Sequence, residues 1–146
     1  MSYKNFDDFV AHLEQEILEE ELKTYNEYVV KLFHNPQNWG EILEEERSVW
    51  HAYEGPCGDT MQFYLKIKDE IIEDAKYITD GCGATVAAGS QTTMMIKGKS
   101  IDYAENLTEK MIDEALHGLP PDHKHCAELA ATTLLRAIQK YKYSPK

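Results

Sequence analysis

The sequence has no uninterrupted apolar run long enough to span a bilayer. Its first turns carry Asp7, Asp8 and Glu14, where a secretory signal would be apolar and a transit peptide basic. A cytoplasmic protein with no membrane partner is therefore expected. Positive charge is scarce too: 15 lysines and arginines stand against 26 acids, a net charge of −11, so the basic surface that polyphosphate binding needs is missing and nucleic acid is excluded. There are only three cysteines, an odd set unsuited to a disulfide framework in a reducing compartment. Such thiols mark metal binding, thiol chemistry or plain core packing. No CxxC or HxxxH pair occurs, so the spacing matches no zinc ribbon or finger. No repeat or low-complexity linker divides the 146 residues, and 42% hydrophobic content suffices for one soluble domain with its own core.

What is present is unevenly distributed. Residues 1–46 hold 12 acids and 3 bases, against 14 and 12 in the remainder, so an acidic front precedes a near-neutral body. In that front Phe6, Phe9, Val10, Leu13, Ile17, Leu18 and Leu22 recur at steps of three and four, with Glu14, Glu16, Glu19, Glu20 and Glu21 mostly between them. This predicts an amphipathic helix capped by Asn5, its stripe packed in the core. Tyr25, Tyr28, Val29, Leu32 and Phe33 continue the spacing as one long helix or two short ones, ending at Asn35-Pro36.

Past Gly40 the period becomes two. Met61, Phe63, Leu65 and Ile67 alternate with polar residues; Asp69-Glu70 turns the chain into Ile71–Thr79, and Ser48–Tyr53 supplies a third strand. Helices follow at 84–97, at 108–116 with Gly118 as its stop, and after Pro120-Pro121, the last packed through Cys126, Leu129, Thr133, Leu134, Ala137 and Tyr141. The expected fold class is α+β, a three-stranded antiparallel sheet against helices.

On these elements Cys57 lies in Gly55-Pro56-Cys57-Gly58-Asp59 before a strand, Cys82 opens a helix in Asp80-Gly81-Cys82-Gly83, and Cys126 follows His125 in the first turn of the last helix. Loops at one sheet edge can converge, and helix starts favour thiolate over thiol. Three thiolates with Asp59 or His125 would make a four-ligand metal site, holding zinc at roughly 2.3 Å Zn–S distances for example. Spacing and setting alone leave buried structural thiols equally open. Asp59 could also close its own turn. His12, His51, His117 and His123 carry no metal-like context, His34 reads as a capping or packing residue, and Lys97 and Lys99 as solvated surface.

Four segments now carry a resemblance: Phe33-His34-Asn35-Pro36-Gln37-Asn38-Trp39-Gly40; Gly55-Pro56-Cys57-Gly58-Asp59-Thr60-Met61; Gly81-Cys82-Gly83 through Ala88 to Lys97-Gly98-Lys99-Ser100; and Leu119-Pro120-Pro121 leading to His125-Cys126. Over about Tyr25 to Tyr143 the chain resembles the IscU/NifU-type iron–sulfur cluster assembly scaffolds. The resemblance implies a SufE/NifU-like two-layer sandwich in residues 25–146, preceded by an acidic helical extension in residues 1–24. It also implies a non-enzymatic scaffold that assembles a transient cluster, [2Fe–2S], from iron and sulfur and passes it to apo-proteins. Cys57, Cys82 and Cys126 would then be ligands, Asp59 or His125 the weak fourth, a cysteine desulfurase the sulfur donor, and Cys126 its acceptor. The family's Leu-Pro-Pro-Val-Lys segment reads Leu119-Pro120-Pro121-Asp122-His123 here, which leaves use of an Hsp70-type chaperone open, as it leaves a cluster shared between protomers. The absence of a long insertion between Cys82 and Cys126 points away from the SufU branch, and the absence of a following CxxC domain reads as a stand-alone scaffold. The competing classes are a thiol enzyme in which His125 activates Cys126, and a zinc-stabilised interaction module.

Overall fold

Strands β1 (Val49–Glu54), β2 (Thr60–Lys68) and β3 (Ile71–Thr79) form an antiparallel sheet in the order β1-β2-β3, in a computed structural model that describes residues 4–144. The alternation in β2 is what builds it: Met61, Phe63, Leu65 and Ile67 turn into the core, joined from β3 by Ile72, Ala75 and Tyr77. Asp69 and Glu70 make the two-residue turn, both with positive φ, at 53° and 67°. This is the left-handed pairing whose twist suits adjacent antiparallel strands.

Helices cover the core face of the sheet. Of these, α3 (Gly83–Ile96) packs on β3, while α6 (Lys124–Tyr143) crosses β1 and β2. Small residues let α3 come close: Ala84, Ala87, Ala88 and Gly89 are all buried, and Gly89 lies directly against the Tyr77 ring. The helix expected at 108–116 is α5 (Glu109–Ala115), with Thr108 as its cap. A five-residue helix, α4 (Ile101–Glu105), was not foreseen, being too short to show a period. A single turn of 3₁₀ helix, Pro121–His123, leads into α6.

The N-terminal periodicity resolves into two helices, α1 (Phe6–Thr24) and α2 (Glu27–His34), broken where Tyr25 is extended. Asn5 caps α1 by accepting from the Asp8 N–H at 2.8 Å. Asn26 caps α2 in the same way and donates its amide to the Leu116 and Gly118 carbonyls, tying α2 to the end of α5. One expectation fails here. The α1 stripe is not core: no α1 residue is buried, and Phe6 remains 75% and Ile17 47% exposed. Periodicity identifies an apolar face without saying what covers it: a Glu21–His34 ion pair of 2.7 Å ties α1 to α2, and Leu18 and Leu22 line an open groove with Tyr28, Val30 and Leu32 of α2. No helix among the described residues is long and apolar enough to cross a membrane.

Candidate metal centre

The hairpin register sets two of the cysteines side by side. At the open end of β2–β3 the Thr60 N–H donates to Asp80 Oδ1 at 2.7 Å and the Thr79 hydroxyl donates to the Thr60 carbonyl at 2.6 Å, so the loops leaving those strands stay adjacent. Cys57 sits in the first loop, closed by Gly55 N–H to the Asp59 carbonyl at 2.9 Å and Gly58 N–H to the Gly55 carbonyl at 3.0 Å. Gly58 takes φ +92°, which a side chain would resist. Because main-chain bonds close this loop, the Asp59 carboxylate is left to face Thr85 across the site at 3.5 Å. Cys82, in the second loop, is the N-cap of α3, its carbonyl accepting from the Thr85 and Val86 N–H groups. The third cysteine arrives from the opposite direction, where Cys126 in the first turn of α6 is fully buried.

Thr85 stands at the centre. Its hydroxyl lies 3.3 Å from Cys126 Sγ and 3.7 Å from Cys82 Sγ in addition to its contact with Asp59. Around it the donor atoms form two sets, each within 4.8 Å internally: Cys57, Asp59 and His125, and Cys82, His123 and Cys126. His125 Nε2 is 3.7 Å from Cys126 Sγ, so the sets adjoin. Every residue proposed from sequence as a ligand, Cys57, Asp59, Cys82, His125 and Cys126, is therefore on this edge. His123, set aside in the sequence, is there as well. Three residues before Cys126 at a helix start, it shares a face with that cysteine, a signal that spacing carried. Thr85 and Tyr25, whose hydroxyl is 3.1 Å from His123 Nε2, were also missed.

Aromatic rings wall the site. Phe33 packs edge-on to Tyr25 at 4.8 Å, and its ring would be 2.9 Å from a side chain added at Gly83, so α2 and the α3 start are in close contact. Of the other residues weighed, His34 pairs with Glu21, Lys97 with Asp74 at 3.2 Å, and Lys99 lies over the Tyr103 ring; none reaches the cysteines.

The two neighbouring sulfurs are not equivalent. A hydrogen bond from Cys126, then N–H and hydroxyl donors of Thr85 and the N–H of Ala84, draw the Cys82 thiol down to about 4 against burial. The same bond, with desolvation, pushes the Cys126 thiol above its ordinary value. The two thiols therefore titrate as a coupled pair. Cys126, expected as the sulfur acceptor, is buried in contact with the Thr85 hydroxyl, whereas Cys82 is exposed. Alkylation of the metal-free protein, read site by site by mass spectrometry, should proceed at Cys82 almost equally fast at pH 6 and pH 8, since protons leave it well below both. An ordinary thiol near pKa 8.5 would gain roughly 100-fold over that range. A Cys82 rate that climbs as steeply would overturn this assignment.

Comparison with known proteins places this geometry. The chain is 46% identical over 119 residues to the iron-sulfur cluster assembly scaffold protein IscU of Aquifex aeolicus, covering 80% of this chain and 75% of that one. It is 40% identical over 121 residues to the protein of the same name from Escherichia coli, covering 81% and 94%. The solved N-terminal NifU-like protein of Brucella abortus superposes with a TM-score of 0.64 at 18% identity, over 82% of this chain and 95% of that one, and shares the fold. The family model of the NifU-like N terminal domain matches residues 24–146. With that match and these identities, the chain belongs to the NifU-like N-terminal domain family.

Proposed function

We propose that this protein is a scaffold on which an iron–sulfur cluster is assembled as cargo and then released to apo-proteins. The observation that carries the reading is the convergence of three separate cysteine loops on one sheet edge around Thr85, with a carboxylate facing the sulfurs. Thiolates are the ligands such clusters prefer, so Cys57, Cys82 and Cys126 hold the cargo while Asp59, or His125, occupies the weaker fourth position. Four thiolates would hold a cluster firmly; a hard carboxylate exchanges more readily and opens a way out. The cargo we assign is [2Fe–2S], and the same donors would take up zinc in purified protein. We assign this holding to residues 25–146, with residues 1–24 as an extension.

Sulfur reaches the site, on this reading, when a cysteine desulfurase persulfide passes its outer sulfur to a thiolate of the scaffold and departs as the donor thiolate. Cys57 and Cys82 are exposed and meet such a donor first; Cys126, the acceptor expected from sequence, receives sulfur once the α6 start is uncovered. A resting Cys126–His125 nucleophile is disfavoured because the thiol is buried and keeps its proton, which supports a carrier rather than a thiol enzyme. Three free cysteines suit a reducing, cytoplasmic compartment.

Anaerobic reconstitution with ferrous iron, sulfide and a desulfurase tests the proposal through the visible absorption of the cluster. Asp59→Ala should retain the cluster and slow its transfer to an apo-ferredoxin by about tenfold, the low end of what altering a metal's immediate surroundings does. Transfer at the unaltered rate would remove Asp59 from the exit route.

A further inference from the structure

The segment Pro120-Pro121-Asp122-His123 fixes one imidazole beside two sulfurs. Pro120 is extended and Pro121 opens the 3₁₀ turn, which the His123 N–H closes on the Pro120 carbonyl at 2.8 Å; α6 then starts at Lys124. Lys124 swings away to pair with Asp113 at 2.8 Å, whereas His123 faces inward with Cys126, one turn on. The imidazole is held on two sides, by Tyr25, whose ring centroid is 5.2 Å away, and by His125, stacked at 6.2 Å. Its Nε2 meets the Tyr25 hydroxyl. Its Nδ1 is buried with no hydrogen-bond partner among the described residues, a position that buried ring nitrogens rarely keep unless something else binds there.

We propose that His123, through a ring nitrogen, joins Cys82 and Cys126 as a three-ligand site for a borderline divalent cation such as Zn²⁺ or Fe²⁺. The donor atoms are within 4.8 Å of one another, as ligands to one ion must be. Two sulfurs and one imidazole select zinc or ferrous iron over magnesium or calcium, and they leave one coordination position open. The site adjoins the Cys57, Asp59 and His125 set but shares no donor with it, so a first cation can be held in the inner half while the outer donors remain free to receive sulfur. Only the statement that this cation is cargo rests on the scaffold reading; the site itself rests on the donors.

Co²⁺ is the probe. Titrated without oxygen into the full metal-free chain, it should give a thiolate-to-cobalt band in the near ultraviolet. His123→Gln, which keeps a polar group near Tyr25, should weaken Co²⁺ and Zn²⁺ binding by about 100-fold, and His51→Gln, on β1 and in neither donor set, by less than about threefold. In unaltered protein with ¹⁵N-labelled histidine, Zn²⁺ should move the ring resonances of His123, which settles the matter even if His123→Gln disturbs the α6 start. Unchanged affinity in His123→Gln, or zinc shifts at His125 with none at His123, would overturn the site. If unaltered protein assembles no cluster yet Co²⁺ binding depends on His123, the scaffold reading fails and the site stands. If the cluster assembles while Co²⁺ binding ignores His123, the reverse holds.

Discussion

Cys82→Ser is expected to lose the reconstituted cluster to background absorption while the fold survives. Cys82 is the N-cap of α3 and serine is among the preferred residues there, so helix stability should hold or rise slightly. The chemistry has no such substitute. The Cys82 thiol is drawn below its ordinary value by the hydrogen bond from Cys126 and by the N–H groups of Thr85 and Ala84. A serine hydroxyl in the same place stays protonated at neutral pH and is a hard oxygen donor besides. Cluster retention should fall by at least about 100-fold, beyond what loss of a metal's outer hydrogen bonds does. The reading is a flat visible spectrum beside an unaltered melting curve. A variant that still holds its cluster would mean that Cys82 is not a ligand; one that unfolds would mean that its role is structural.

Gly89→Ala should be the most damaging single-methyl change. In an exposed helix that substitution gains about 1 kcal/mol of propensity. Here the new methyl would overlap the Tyr77 ring, and the ring has nowhere to go. Tyr77 is fully buried, its hydroxyl bonded to the Val86 carbonyl at 2.9 Å and Ser90 Oγ at 2.7 Å; its backbone is bridged to Asn38 and Gly40, and Trp39 meets it edge-on. Overpacking a fixed core typically costs 1–3 kcal/mol or more, so a net loss of about 2 kcal/mol is expected after the propensity gain. At 2–4 °C per kcal/mol for a chain of this size, the melting temperature should drop by roughly 4–8 °C. A melting temperature that holds or rises would mean that α3 does not lie on Tyr77 as described.

Much of this was legible because local rules sufficed. The alternation of Met61, Phe63, Leu65 and Ile67 specified β2 and its buried face, Asp69-Glu70 marked the hairpin, and Asn5 marked the start of α1. What escaped depends on partners distant in sequence. The α1 stripe has helical spacing, but its exposure follows from how little of α2 it touches. Cys126 and Cys82 both begin helices, and that one is buried and the other exposed depends on what packs over each. His123 was passed over because ligands were sought beside cysteines, whereas the helical turn puts it three residues away.

The tight hairpin also bears on the order in which the centre comes together. A two-residue connection carries almost no loop-closure entropy, so β2 and β3 can pair early, and their register alone sets the Cys57 loop against the Cys82 loop. Cys126 is 44 residues beyond Cys82 and comes in only when α6 docks across the sheet. The topology thus predicts that the Cys57 and Cys82 loops meet before α6 closes over them, which Φ-values near one in the hairpin and near zero in α6 would show.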